Sequence, residues 1–142
     1  MTTSRASAVW EGGLKSGRGT FRSGSGAFQA PYSFRTRFEG EKGATPEELI
    51  AAAHAACYSM ALSAGLEQAG TPATRVETQA ACTIEMVSGA PKITTMALTV
   101  RAKVAGIDQA AFLKAAEATR VGCPVSKALH GNVDITLQAT LE

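Results

Sequence analysis

A chain of 142 residues is long enough to bury a full hydrophobic core, and with 45% hydrophobic and 18% charged residues it has an ordinary globular balance. Its net charge of +2, with no dense run of Lys and Arg, gives no electrostatic case for a nucleic-acid partner. The opening M-T-T-S-R-A-S-A-V-W lacks an apolar signal core, and the apolar stretch around residues 49–62 is broken by His54 and Ser59 and is too short to span a bilayer. The expectation is therefore one soluble, cytoplasmic domain over residues 1–142, with no membrane partner.

The segment up to about Phe38 is rich in Gly and Ser, with short apolar runs at Ala8–Trp10, Thr20–Arg22 and Ala27–Phe34. Glycine pairs and S-G-S-G separate these runs, a pattern of hairpin strands joined by turns. Within it F-R-T-R-F reads as extended, which puts Arg35 and Arg37 on one face. Thr45-Pro46-Glu47-Glu48 then opens a helix, with Thr45 as N-cap, Pro46 at the first helical position and Glu48 closing a capping box. Gly65 and Gly70 are its candidate stops.

Three alternating runs follow, at 76–87, 92–104 and 133–141. Their apolar positions recur every second residue, as in half-buried antiparallel strands. Between the last two runs lies a helix capped by Asp108 and carrying Phe112, Leu113 and Ala116, then a short helix opening at Cys123-Pro124. Strands, helix, two strands, helices and a strand make an α+β domain.

Three cysteines in a reducing compartment point to catalysis, metal or burial, not to a permanent disulfide framework. Cys82 reads as a core residue on the apolar face of its strand. Cys57 lies about three turns into its helix, at the spacing of Leu49, Ala53 and Met60; it is open to a core reading or a reactive one. Cys123 falls near the N-cap of the short helix, where backbone N–H groups favour a thiolate. Cys57 has no such help, because its own helix start is roughly 15 Å away at 1.5 Å per residue. It needs a cation from elsewhere, with Arg35 and Arg37 as candidates. Glu47 is free to pair with an arginine, but ten residues along one rigid helix keep it out of any small site that contains Cys57. If both serve one site, one of them comes from a second chain. His54, Cys57, Cys123 and His130 also compose a weak zinc-ligand pattern.

The run Y-S-F-R-T-R-F-E-G-E-K-G-A-T-P-E-E-L-I-A-A-A-H-A-A-C-Y-S-M-A-L at residues 32–62, with G-C-P-V-S at 122–126, resembles the osmotically inducible protein C / organic hydroperoxide resistance (OsmC/Ohr) family. The A-V-W-E-G…G-x-G-T opening and V-x-G-I-D are similar to the OsmC branch. The resemblance covers essentially the whole chain. It implies an OsmC-like fold of antiparallel sheets around a central Cys-bearing helix, in an intertwined homodimer with two interfacial sites. It further implies a thiol-dependent peroxidase acting on organic hydroperoxides without metal, haem or flavin. By the matching motifs Cys57 corresponds to the peroxidatic cysteine, Cys123 to the resolving one, Arg37 to the thiolate-activating arginine and Glu47 to its salt-bridge partner. An external dithiol, such as a lipoylated protein, is implied as reductant. Helix-end logic favours Cys123 as the more acidic thiol, whereas the resemblance makes Cys57 the one that attacks. The alternatives are a non-catalytic pocket for a small hydrophobic ligand and a zinc-stabilised domain.

Overall fold

The computed structural model describes residues 1–142, which fold as two compact units, Met1–Leu49 and Ile50–Glu142. In the first unit β1 (Ala6–Glu11), β2 (Arg18–Ser23) and β3 (Gln29–Tyr32) pair antiparallel in chain order. The expected Gly/Ser turns make the hairpins. Trp10, Phe21, Phe28 and Tyr32 form a run of neighbouring rings 5.4–6.5 Å apart, within the usual range for aromatic pairs.

F-R-T-R-F is not a strand but a single helical turn, α1 (Phe34–Phe38). Ser33 caps it: its hydroxyl accepts from the Thr36 N–H at 3.1 Å, while the Thr36 hydroxyl accepts from the Ser33 N–H at 3.0 Å. The Phe34 and Phe38 rings, one turn apart, meet at a tilt of 44° with centroids 5.0 Å apart. Five residues are too few for an alternating pattern to outweigh a reciprocal cap and an i,i+4 ring pair.

Helix α2 (Pro46–Gln68) starts where Thr45-Pro46 places it and runs through Gly65, ending before Gly70 at φ +83. Thr45 accepts from the Glu48 N–H at 3.0 Å; this is one half of the expected box, and the Glu48 side chain is left at the surface. The helix ends at the second of the two expected stops, and at 23 residues, with an 18-residue stretch of mean hydropathy 1.5, α2 is apolar enough to cross a membrane by length and composition alone. In the fold, however, His54, Tyr58, Leu62 and Leu66, each four residues after the last, form a buried stripe.

The stripe packs in the second unit against β5 (Ala90–Val104), whose Met96, Leu98, Val100 and Ala102 are buried in strict alternation. β4 (Ala73–Val87) pairs antiparallel with β5 through a Ser88-Gly89 turn in which both residues have positive φ, 51 and 81, as a two-residue hairpin requires. β6 (Asp134–Leu141) pairs with β5 in parallel, from Thr95↔Asp134 to Ala102↔Leu141, so the expectation of an all-antiparallel sheet is corrected. The reason is the connection: α3 (Gln109–Gly122) and α4 (Pro124–Leu129) form a crossover long enough to return the chain to the same end of the sheet. Asp108 caps α3 as expected, accepting from the Ala111 N–H at 2.7 Å. Tyr58 donates to the Ala116 carbonyl at 2.8 Å, fastening α2 to α3.

Candidate active site

In the first unit the structure joins Arg37 to Glu47. The α1 turn separates the two arginines that a strand would have kept together. Arg35 stays at the surface beside Glu39 and Glu41 at 3.7 and 3.9 Å. Arg37 turns to Glu47, donating through Nε at 3.0 Å and Nη2 at 2.8 Å to Oε1. Glu47 is 5% exposed, so its charge is partnered where water is scarce. A forked arginine–carboxylate contact fixes the guanidinium plane as well as its position. The Nη1 edge is not used by Glu47. Arg37 also lines a cavity of about 200 Å³ with Trp10, Leu14, Tyr32, Phe34 and Phe38, a cation on the wall of an aromatic pocket.

In the second unit the structure joins Cys57 to Cys123. Both are unbridged, and Cys123 is near enough to Cys57 to bear on the ionisation of its thiol. Cys123 is at once the C-cap of α3 and the N-cap of α4, with its N–H on the Thr119 carbonyl at 3.0 Å and its sulfur accepting from the Ser126 N–H at 3.4 Å. It is 1% exposed. Cys57 on α2 is half-buried, and burial pushes its thiol pKa up. The Val125 backbone N–H, donating to the sulfur, pulls the other way; the nearby Cys123 raises it again. The amide help that sequence reasoning assigned to Cys123 thus extends to Cys57, from α4 and not from its own helix.

The sequence also missed a chain of polar contacts behind Cys123. Its Sγ lies 3.1 Å from Ser126 Oγ, which lies 2.7 Å from His54 Nε2. The only signal for Ser126 was its place three residues after the cap. His54, grouped on sequence with Cys57 as a zinc-ligand pattern, contacts Ser126; His130 ends α4 with its N–H on the Ser126 carbonyl at 2.9 Å. The four His and Cys residues do not gather into a metal-holding group.

The OsmC-like protein family model matches residues 39–138. The chain is 45% identical over 135 residues to the Escherichia coli protein named peroxiredoxin OsmC, covering 94% of each. It is 31% identical to the Bacillus subtilis organic hydroperoxide resistance protein OhrA over 69% of this chain and 68% of that one. Among solved structures, the Bacillus subtilis organic hydroperoxide resistance protein OhrB superposes with a TM-score of 0.66 at 25% identity, covering 95% and 97% of the two chains. An OsmC protein of Legionella pneumophila reaches 0.74 at 21%, covering 100% and 98%, a likeness of fold. The α+β arrangement of two small sheets with helices is that of these structures, and the chain belongs to the OsmC-like protein family.

Proposed function

We propose that the protein is a cysteine-based peroxidase that reduces organic hydroperoxides to alcohols and so protects against oxidative stress. The observation that carries this reading is the pair of unbridged thiols, Cys57 and Cys123, brought from different helices near enough to influence each other's ionisation. The names of the peroxiredoxin and organic hydroperoxide resistance relatives support the same chemistry.

In the proposed cycle the Cys57 thiolate attacks the distal peroxide oxygen. The O–O bond breaks, the alkoxide takes a proton and leaves as alcohol, and Cys57 becomes a sulfenic acid. Cys123 then condenses with it, expelling water and forming a disulfide that an external dithiol reduces. Arg37, oriented by Glu47, stabilises the thiolate and the charge developing on the peroxide oxygens. The aromatic cavity beside Arg37 suits an alkyl or aryl chain better than hydrogen peroxide.

Burial raises the Cys57 pKa, so the thiol needs the cation that Arg37 carries. Arg37 is tied to Glu47, and Glu47 stands ten residues before Cys57 on one continuous helix, roughly 15 Å along the axis. In this reading the Arg37–Glu47 pair of one subunit serves Cys57 of the other, in a homodimer. Turnover of cumene hydroperoxide with a dithiol tests the assignment. Cys57→Ser loses it entirely, whereas Cys123→Ser performs a first turnover and stalls; full turnover by Cys57→Ser would refute the reading.

A further inference from the structure

His54 is fully buried, yet only one of its ring nitrogens has a partner: Nε2 meets Ser126, and Nδ1 has none. A buried polar atom without a hydrogen bond costs about 1–3 kcal/mol. A leucine at this point of the α2 stripe would continue the Tyr58, Leu62, Leu66 series without that cost. Ser126 is buried as well at 2% exposed, and its hydroxyl touches His54 on one side and Cys123 on the other. Cys123, Ser126 and His54 thus form a line of three polar groups that starts at a thiol and ends at a base. Packing alone would not retain it.

We propose that His54 and Ser126 form a proton relay behind Cys123, in which His54 positions the thiol through Ser126 and takes up its proton as the Cys57–Cys123 disulfide closes. The proposal rests on the peroxidase reading and adds to it the group that activates the second thiol. The Cys123 S–H proton passes to Ser126 Oγ while the Ser126 O–H proton passes to His54 Nε2. The Cys123 sulfur attacks the Cys57 sulfenic sulfur, the S–S bond forms, and the S–O bond of Cys57 breaks. Hydroxide leaves and takes a proton from the Ser126 hydroxyl, which is made good from His54 Nε2, giving water and restoring both groups. One sulfur is oxidised and the other reduced, with no outside reagent. This direction of transfer needs the His54 tautomer with hydrogen on Nδ1, the atom without a partner. Burial holds the His54 pKa below its ordinary 6.5, which keeps Nε2 unprotonated near neutral pH and returns the proton promptly. The Ser126 N–H on the Cys123 sulfur stabilises the thiolate during the transfer. Arg120, His130 and Asp134 line an open cavity of about 480 Å³ together with Ser126; they are the charged and titratable groups that share its walls.

The test separates the two chemical steps in single turnovers with cumene hydroperoxide, trapping Cys57 sulfenic acid with dimedone and following disulfide formation by mass spectrometry. His54→Leu and Ser126→Ala are expected to form the sulfenic acid at the wild-type rate and to close the disulfide roughly a hundredfold more slowly. The double variant is expected to be no slower than either single one, because removing one link already breaks the relay. Closure of His54→Leu at the wild-type rate, or additive slowing in the double variant, would overturn the relay. The wild-type protein gives a readout that does not depend on the variants folding. Its closure rate in mixed H₂O and D₂O is expected to bow below a straight line, the signature of two protons in flight, and a straight line would contradict the proposal. Absence of any dimedone adduct in Cys123→Ser, where no second thiol can consume the sulfenic acid, would instead remove the peroxidase reading, and the relay with it.

Discussion

At the scale of single residues, the proposed chemistry rests on two features: the Arg37–Glu47 fork, and the polar line from Cys123 through Ser126 to His54, with Cys57 beside its first member. The fork holds a planar cation in one orientation, so its loss is expected in rate more than in stability. Arg37→Ala is predicted to lower kcat/KM for an organic hydroperoxide by about 10²–10³-fold, and Arg37→Lys to recover little, since an ammonium cannot make the forked contact. Steady-state kinetics on the two variants checks both statements. His54 gives a pH prediction with a definite sign. Its folded pKa is depressed below 6.5 by burial, so the folded state binds fewer protons than the unfolded one. Its contribution to stability is complete above about 6.5 and is lost as pH falls through the folded value. Tm measured across that window should fall on acidification, and His54→Leu should flatten that part of the profile.

At the scale of elements, the α1 turn governs Arg37. Ser33→Ala removes one half of its reciprocal cap and should cost about 1 kcal/mol, with a loss of activity larger than the loss of stability because Arg37 is on that turn. Denaturant unfolding beside kinetics separates the two. Leu98, 1% exposed on β5, is a contrasting case: Leu98→Ala should cost about 2–5 kcal/mol through the cavity it leaves. Much of this element list is legible in the sequence. Thr45-Pro46 starts α2, Asp108 starts α3, Cys123-Pro124 starts α4, and period-two runs mark β4, β5 and β6. What escapes is whatever local pattern leaves undecided. F-R-T-R-F alternates like a strand, while the cap that makes it a helix lies in Ser33 and Thr36. The direction of β6 depends on its crossover, not on its own residues. The meeting of Cys57 with Cys123, and of His54 with Ser126, depends on tertiary packing of α2 against α3 and α4, which no spacing reports. The motif resemblance supplied the pairing of Arg37 with Glu47 before any geometry did; the helical turn then explains why Arg35 is not the partner.

At the scale of the whole molecule, the proposed cycle requires a cation from a second subunit for a thiol whose pKa burial raises. Complementation follows from that arrangement. Arg37→Ala and Cys57→Ser homodimers should each be inactive, while an equal mixture allowed to exchange subunits should recover roughly a quarter of the wild-type rate, one complete site in each mixed dimer. A mixture that stays inactive would place Arg37 and Cys57 in the same chain. The central claim remains that Cys57 and Cys123 are a working redox couple. Its most direct test is the disulfide map of the reduced protein after one equivalent of cumene hydroperoxide. A single Cys57–Cys123 bond with Cys82 still a thiol is expected; two intact thiols at Cys57 and Cys123 after the peroxide is added would contradict the couple.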